Sequence, residues 1–264
     1  MRKTDFILPK LDDLFTTQEM RDDAKLERVQ NIPLSELHPF KDHPFKVKNN
    51  EEMERMIESI RKVGAITPVL ARPLPDGGYE LISGHRRLAA CQVLGIETMP
   101  VIVREMSDDE AVIAMVDANL QRETILLSEK AFAYKMKLEA IKHQGVASGQ
   151  LVQKWSRDKM ADESSDSGRQ IQRYIRLTNL IPELLSMVDE NKIAFNPAVE
   201  ISYLEQSEQR VLLYAMKLND CTPSHAQSIR LKKLSQDGVL DDQMIYAVMS
   251  VWSSVLQIQF QEVK

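Results

Sequence analysis

Tyr79-Glu80-Leu81-Ile82-Ser83-Gly84-His85-Arg86-Arg87 joins a strand-like run to a helix-like run with no linker between them. The apolar residues to Ile82 fit a strand, and a helix is expected from Ser83 to about Leu94, closed by Gly95. Three features that favour a bound phosphate converge at this junction: free backbone N–H groups, the positive end of a helix dipole and two adjacent guanidinium groups. Gly84 lets the backbone approach a ligand closely.

The surroundings extend the pattern in both directions. Upstream, Pro68 to Arg72 and Tyr79 to Ile82 flank the turn residues Pro75-Asp76-Gly77-Gly78, as in a hairpin. Before that, Asn49 and Glu52 have capping-box spacing, Met53, Met56, Ile57 and Ile60 recur at helical intervals, and Gly64 can end the helix. Ile32-Pro33-Leu34 opens the ordered part, and the proline-punctuated segment from Leu37 to Val47 is extended. Downstream, Pro100 to Val103 supplies a strand, and Ser107 with Glu110 caps a helix running to about Leu120. The front of the chain is therefore mixed α/β.

Composition sets bounds on the rest. A length of 264 residues allows two modest domains, and a net charge of -5 argues against a uniformly basic nucleic-acid coat while leaving room for a local basic face. Cys91 and Cys221 form no C-x-x-C pair, and His38, His43, His143 and His225 show no ligand spacing, so zinc sites and metal hydrolases find little support. No signal peptide or membrane-length apolar run is visible, so a cytoplasmic, non-membrane protein is expected. Residues 1–30, with a short apolar cluster at Leu8, Leu11, Leu14 and Phe15, are expected to be a flexible tail, with a short docking helix as the alternative.

From Ser128 onward the pattern is helical. Between Ser156 and Leu180 two short helices are expected, Ser156 capping the first over Arg157 to Glu163, Ser164-Ser165-Asp166 making the turn, and Ser167 capping the second. At about 100° per residue, Arg169, Gln172, Arg173 and Arg176 share one side while Ile171, Tyr174, Ile175 and Thr178 share the other. No acidic residue lies between Arg169 and Arg176 in an otherwise acidic chain. Arginine pairs with guanine and glutamine with adenine in a major groove, so Arg169, Gln170, Gln172, Arg173 and Arg176 are the DNA-binding candidates.

Later helices are expected around Pro182 to Asn191, Pro197 to Leu204, Ser207 to Leu218 and Pro223 to Leu234. Arg230, Lys232 and Lys233 form a second basic cluster, better explained by a solvated helix end than by phosphate contact. Met244, Val248, Val251, Val255 and Ile258 make either a dimer stripe or a final core helix, and Trp155 and Trp252 are packing anchors.

Three boxes resemble the ParB family. Gly64-Ala65-Ile66-Thr67-Pro68 is similar to its G-x-x-x-P box, Gly84-His85-Arg86-Arg87 to its G-E-R-R box, and Asn119-Leu120-Gln121-Arg122 to its E-N-x-Q-R box. Ser156 to Leu177 resembles its helix-turn-helix, with Ser165 where the turn glycine usually stands. The resemblance covers residues 31 to 235 and is closer to plasmid or mobile-element members than to the chromosomal type. It implies an α/β ParB/sulfiredoxin-like domain followed by an all-α helix-turn-helix domain. The expected divisions are a tail at 1–30, a nucleotide-binding domain at 31–125, a DNA-binding domain at 126–235 and a C-terminal helix for dimerisation at 236–264.

The same resemblance implies CTP and Mg2+ as cofactors. Thr67, Pro68, Ser83, Gly84, His85, Arg86, Arg87, Asn119, Gln121 and Arg122 would bind the nucleotide, with Asn119 the metal ligand. It implies double-stranded DNA, a second copy of the chain and a ParA-like ATPase as partners, and a nucleoid-associated location. Two family carboxylates are replaced, by His85 and Ala118, which weakens magnesium binding and leaves no evident group to position water, so hydrolysis should be slow. Asp117 lies one residue out of register, and Ala89 replaces a further family arginine. The rivals are a phosphotransfer enzyme on the same fold, disfavoured in its sulfiredoxin form because Gly84 stands where a cysteine is needed, and a transcription regulator that needs no nucleotide.

Overall fold

The computed structural model describes residues 28–41, 43–45, 47, 49–122, 124–144 and 166–250. Contacts group the described residues up to Phe40 and from Val47 to Met106 into one compact unit, and those between 41 and 46 together with the described residues from Ser107 onward into a second.

In the first unit, β1 (Val29–Pro33), β2 (Leu37–Pro39), β3 (Val69–Pro73), β4 (Tyr79–Ser83) and β5 (Thr98–Val103) form one sheet in the order β1-β5-β3-β4-β2. The expected hairpin is β3–β4, antiparallel, with Arg72 opposite Glu80 and joined to it at 2.7 Å in a mostly buried ion pair. β3–β5 and β2–β4 are parallel, while β1 runs antiparallel to β5. The helices α1 (Glu51–Val63) and α2 (His85–Val93) contribute Met53, Ile60, Leu88 and Cys91 to a core shared with the strands. Asn50, not Asn49, caps α1, its side chain accepting from Met53 N at 3.1 Å. The cap needs an extended backbone just before the first helical residue, and Asn50 has it.

The second unit is helical among the described residues. α3 (Asp108–Leu120) begins with the expected Ser107–Glu110 capping box. α3 packs on α4 (Leu127–Gln144), and α4 packs on α5 (Gly168–Arg176), through a cluster of Tyr134, Leu138, Ile141 and Ile171. α6 (Pro182–Asp189), α7 (Phe195–Ile201), α8 (Gln206–Asn219) and α9 (His225–Gln236) build a second cluster. Inside it the fully buried Gln209 accepts from Ile181 N and donates to Leu204 O, so its amide is satisfied.

Residues 242–250 are helical, and Ile245, Val248 and Met249 are buried in that same core. Of the proposed dimer stripe, Val248 is thus a core residue, whereas Met244 is exposed. Val251, Val255 and Ile258 lie outside the described residues, as do both tryptophans, the tail to residue 27, and the first helix and most of the turn of the expected helix pair. Among the described residues no helix is long and apolar enough to cross a membrane, and no group of three or more His, Cys, Asp or Glu is placed to hold a metal.

Candidate functional site

The junction between β4 and α2 is built around Gly84, the helix N-cap, whose φ of 106° lies in the left-handed region. A Cβ there would come within 2.3 Å of Val69 Cγ1, so β3 packs directly against the turn and only glycine fits. No N-cap side chain bonds the start of α2, and the backbone N–H groups of a helix's first turn have no intrahelical acceptor.

The three residues that follow are used differently. His85 is buried and its Nε2 accepts from Phe40 N at 3.4 Å, which ties the helix start to the end of β2. Arg87 donates from Nη1 to Thr67 O at 2.8 Å and Pro68 O at 2.7 Å, so it clamps the Gly64–Pro68 segment to α2. Burial holds its guanidinium below the usual arginine range. Arg86 donates from Nη1 to Glu52 Oε2 at 3.1 Å, while its Nη2 is buried with no partner. A buried unpaired guanidinium N–H is costly, and an anion at this turn would satisfy it. Ser83 and Pro68 are half-buried, and Thr67 is exposed.

The third box belongs to the second unit. Asn119, 2% exposed, donates from Nδ2 to Met115 O at 2.7 Å, and its Oδ1 is buried without a partner. An unpaired amide oxygen suits a hard cation, yet the neighbouring carboxylate is taken: Asp117 is paired with the Lys137 ammonium at 2.6 Å, and that lysine side chain is 3% exposed. Asp117 therefore serves α3–α4 packing rather than replacing the missing ligand at Ala118. Gln121 is exposed, and the Arg122 guanidinium lies 5.6 Å from the centre of the Phe45 ring.

On α5 the packing side is as the periodicity predicts. Ser167 caps the helix, accepting from Gln170 N; Ile171 is fully buried, and Tyr174 and Ile175 pack beside it. Asp166, just before the cap, accepts from Tyr134 Oη and pairs with Lys130 Nζ, both at 2.6 Å, so α4 fixes the start of α5.

The polar side divides. Arg169 is exposed and Gln172 half-buried, and the Arg173 guanidinium donates to Gln170 Oε1 and to Asn196 Oδ1 above the Phe195 ring, 4.9 Å from its centre. Arg176 differs from its expected open position. It lies over the Tyr203 ring, donates to Ser202 O at 3.1 Å and has a buried Nε with no partner. It is drawn there because α7 brings an aromatic ring and a free carbonyl to the end of α5, a contact that periodicity on α5 alone does not contain.

A family model described as the ParB N-terminal domain matches residues 18–120. The nucleoid occlusion protein of Halalkalibacterium halodurans is 30% identical over 177 residues, covering 67% of this chain and 58% of that protein. The chromosome-partitioning protein Spo0J of Thermus thermophilus is 29% identical over 181 residues, covering 69% of this chain and 62% of that protein. Among solved structures, the C-terminally truncated chromosome-partitioning protein ParB of Caulobacter crescentus, complexed to the centromeric parS site, is 22% identical. It covers 84% of this chain and 98% of that chain at a TM-score of 0.47. The chain spans about 60% of the length of the curated relatives it matches. Through residues 18–120, this chain belongs to the ParB N-terminal domain family.

Proposed function

We propose that the chain is a site-specific DNA-binding protein of ParB-type partition, acting on a chromosome, plasmid or mobile element and gated by CTP. The observation that carries the DNA-binding part is α5: one side is sealed into the α4 cluster, and the other gathers Arg169, Gln170, Gln172 and Arg173 with no acidic neighbour on the helix. The curated relatives, named for nucleoid occlusion and chromosome partitioning, support the same reading. With it go a nucleoid-associated location, a homodimer and a ParA-like partner ATPase, together with a nucleotide-binding region at 31–125 and a DNA-binding region at 126–235.

The CTP part rests on the first two boxes. Gly84 permits close backbone approach, the first turn of α2 would offer its N–H groups, and the unpaired Nη2 of Arg86 would meet a phosphate oxygen. Arg87 holds the Thr67–Pro68 segment rather than the phosphate itself. The resemblance adds Asn119, Gln121 and Arg122. Bound nucleotide would supply the triphosphate charge that these residues neutralise; magnesium would have Asn119 Oδ1 and no free carboxylate beside it.

Arg173→Ala tests the DNA reading. Specific binding weakens by about 1–3 kcal/mol, because a bidentate contact to a base is lost. The Phe195 and Asn196 contacts are lost as well, so thermal unfolding is measured alongside. Unchanged affinity in a titration at fixed salt removes α5 as the reading helix.

Nucleotide turnover tests the metal reading. CTP hydrolysis by the parent protein is slow with or without DNA, and Ala118→Glu, at an exposed position of α3, raises the magnesium-dependent rate. Brisk hydrolysis by the unaltered protein overturns the reading of the replaced carboxylates and directs mutation to His85 or Asp117.

A further inference from the structure

Tyr203, two residues past the end of α7, carries two cations on one ring. The Arg176 guanidinium, from α5, lies 3.9 Å from the ring centre and the Lys232 ammonium, from α9, lies 3.8 Å from it, so the two charges are no more than about 8 Å apart. The π-density of the shared ring offsets part of their repulsion. Among the described residues, Glu200 pairs with Lys232 at 2.9 Å and Arg176 donates to the Ser202 carbonyl, with no carboxylate paired to the guanidinium. The cluster keeps a net positive charge beside a ring that is 37% exposed.

We propose that Arg176 and Lys232, set on Tyr203, form a clamp for a DNA backbone phosphate, built from two helices and separate from the base-reading surface around Arg173. The inference rests on the DNA-binding reading above and divides its arginines. Arg176 has its Nε buried and Nη2 held by the carbonyl of the buried Ser202, whereas Arg173 Nη2 rests on the exposed Asn196 side chain, which can give way; the fork to a guanine edge is therefore assigned to Arg173 and not to Arg176. Its charge still reaches an anion, and the Lys232 ammonium has three rotatable donors of which Glu200 engages one side. Glu200 sets the strength of the clamp: it holds Lys232 in place without DNA and repels the incoming phosphate.

Two variants of opposite sign test this in the full chain. The probes are a duplex selected by the parent protein from a randomised pool and a random-sequence duplex, each titrated across a salt series. Lys232→Gln weakens binding to both duplexes by roughly three- to tenfold and lowers the salt slope by about one, as loss of a phosphate contact does. Glu200→Gln strengthens binding to both. The clamp is overturned if Lys232→Gln leaves the slope unchanged, if it weakens only the selected duplex, or if both variants weaken binding together with a fall in unfolding temperature, the signature of a structural cluster. A parent protein that binds neither duplex ends the DNA-binding reading itself, whereas a parent that binds with Lys232→Gln unaffected ends only the clamp.

Discussion

Arg86→Ala takes CTP binding out of calorimetric range while leaving the first, site-specific encounter with DNA close to that of the parent. Arg86 is the guanidinium of the α2 junction with a buried terminal nitrogen and no partner, so it is the side chain that gains most from a phosphate. Hydrogen bonds to charged groups are worth about 1.5–3 kcal/mol each, and two such bonds lost from one residue correspond to a hundredfold or more in affinity. Its Glu52 pair is half exposed and contributes little to folding, so the variant keeps its stability. On the proposed reading DNA is read by α5, which groups with the other unit, so its contacts do not include Arg86. If the variant binds CTP as tightly as the parent, the Gly84–Arg87 turn is not the phosphate cradle. If it loses DNA binding equally, the two activities are not separable as proposed.

Gly84→Ala has the largest expected effect on folding. An alanine at φ 106° is strained by about 1–2 kcal/mol, and its Cβ would meet Val69 Cγ1 at 2.3 Å and Val69 Cβ at 2.9 Å. Val69 is 1% exposed and cannot move aside, so overpacking adds about 1–3 kcal/mol. The first unit should lose roughly 2–5 kcal/mol, and CTP binding with it. Cys91 provides a local readout: it is fully buried in that unit's core and burial pushes its thiol up, whereas Cys221 is exposed. Thiol labelling of the variant shows Cys91 reacting far faster than in the parent, with Cys221 unchanged. Adding Val69→Ala restores only part of the protection, because it removes the Cγ1 contact and leaves both the 2.9 Å approach to the Cβ at position 69 and the backbone strain. Parental protection of Cys91 in Gly84→Ala would show that the turn is not as tightly packed as the geometry states.

How the arginines are used separates what is local from what is not. The elements whose causes lie within a few residues are legible in the chain alone: the capping box at Ser107, the cap at Ser167, the β3–β4 hairpin, the glycine between β4 and α2, and the buried side of α5. Each follows from helical or strand periodicity, side-chain caps or a glycine-only backbone, and these act over one or two turns. Even there the α1 cap fell one residue later than the spacing suggested, since two adjacent asparagines offer the same chemistry.

The strand order, with β1 paired to β5 some seventy positions away, and the partner of each charged group come from long-range packing. Arg87 is spent on the carbonyls of Thr67 and Pro68, Asp117 on Lys137, and Arg176 on Tyr203 and Ser202, while Arg86 keeps an unpaired nitrogen. Their sequence neighbours do not distinguish Arg86 from Arg87 or Arg173 from Arg176. What distinguishes them is the carbonyl or carboxylate that another element brings within about 3 Å, or the ring it brings within about 5 Å, because a guanidinium gains or loses its function through contacts too short-ranged to register until the chain has folded.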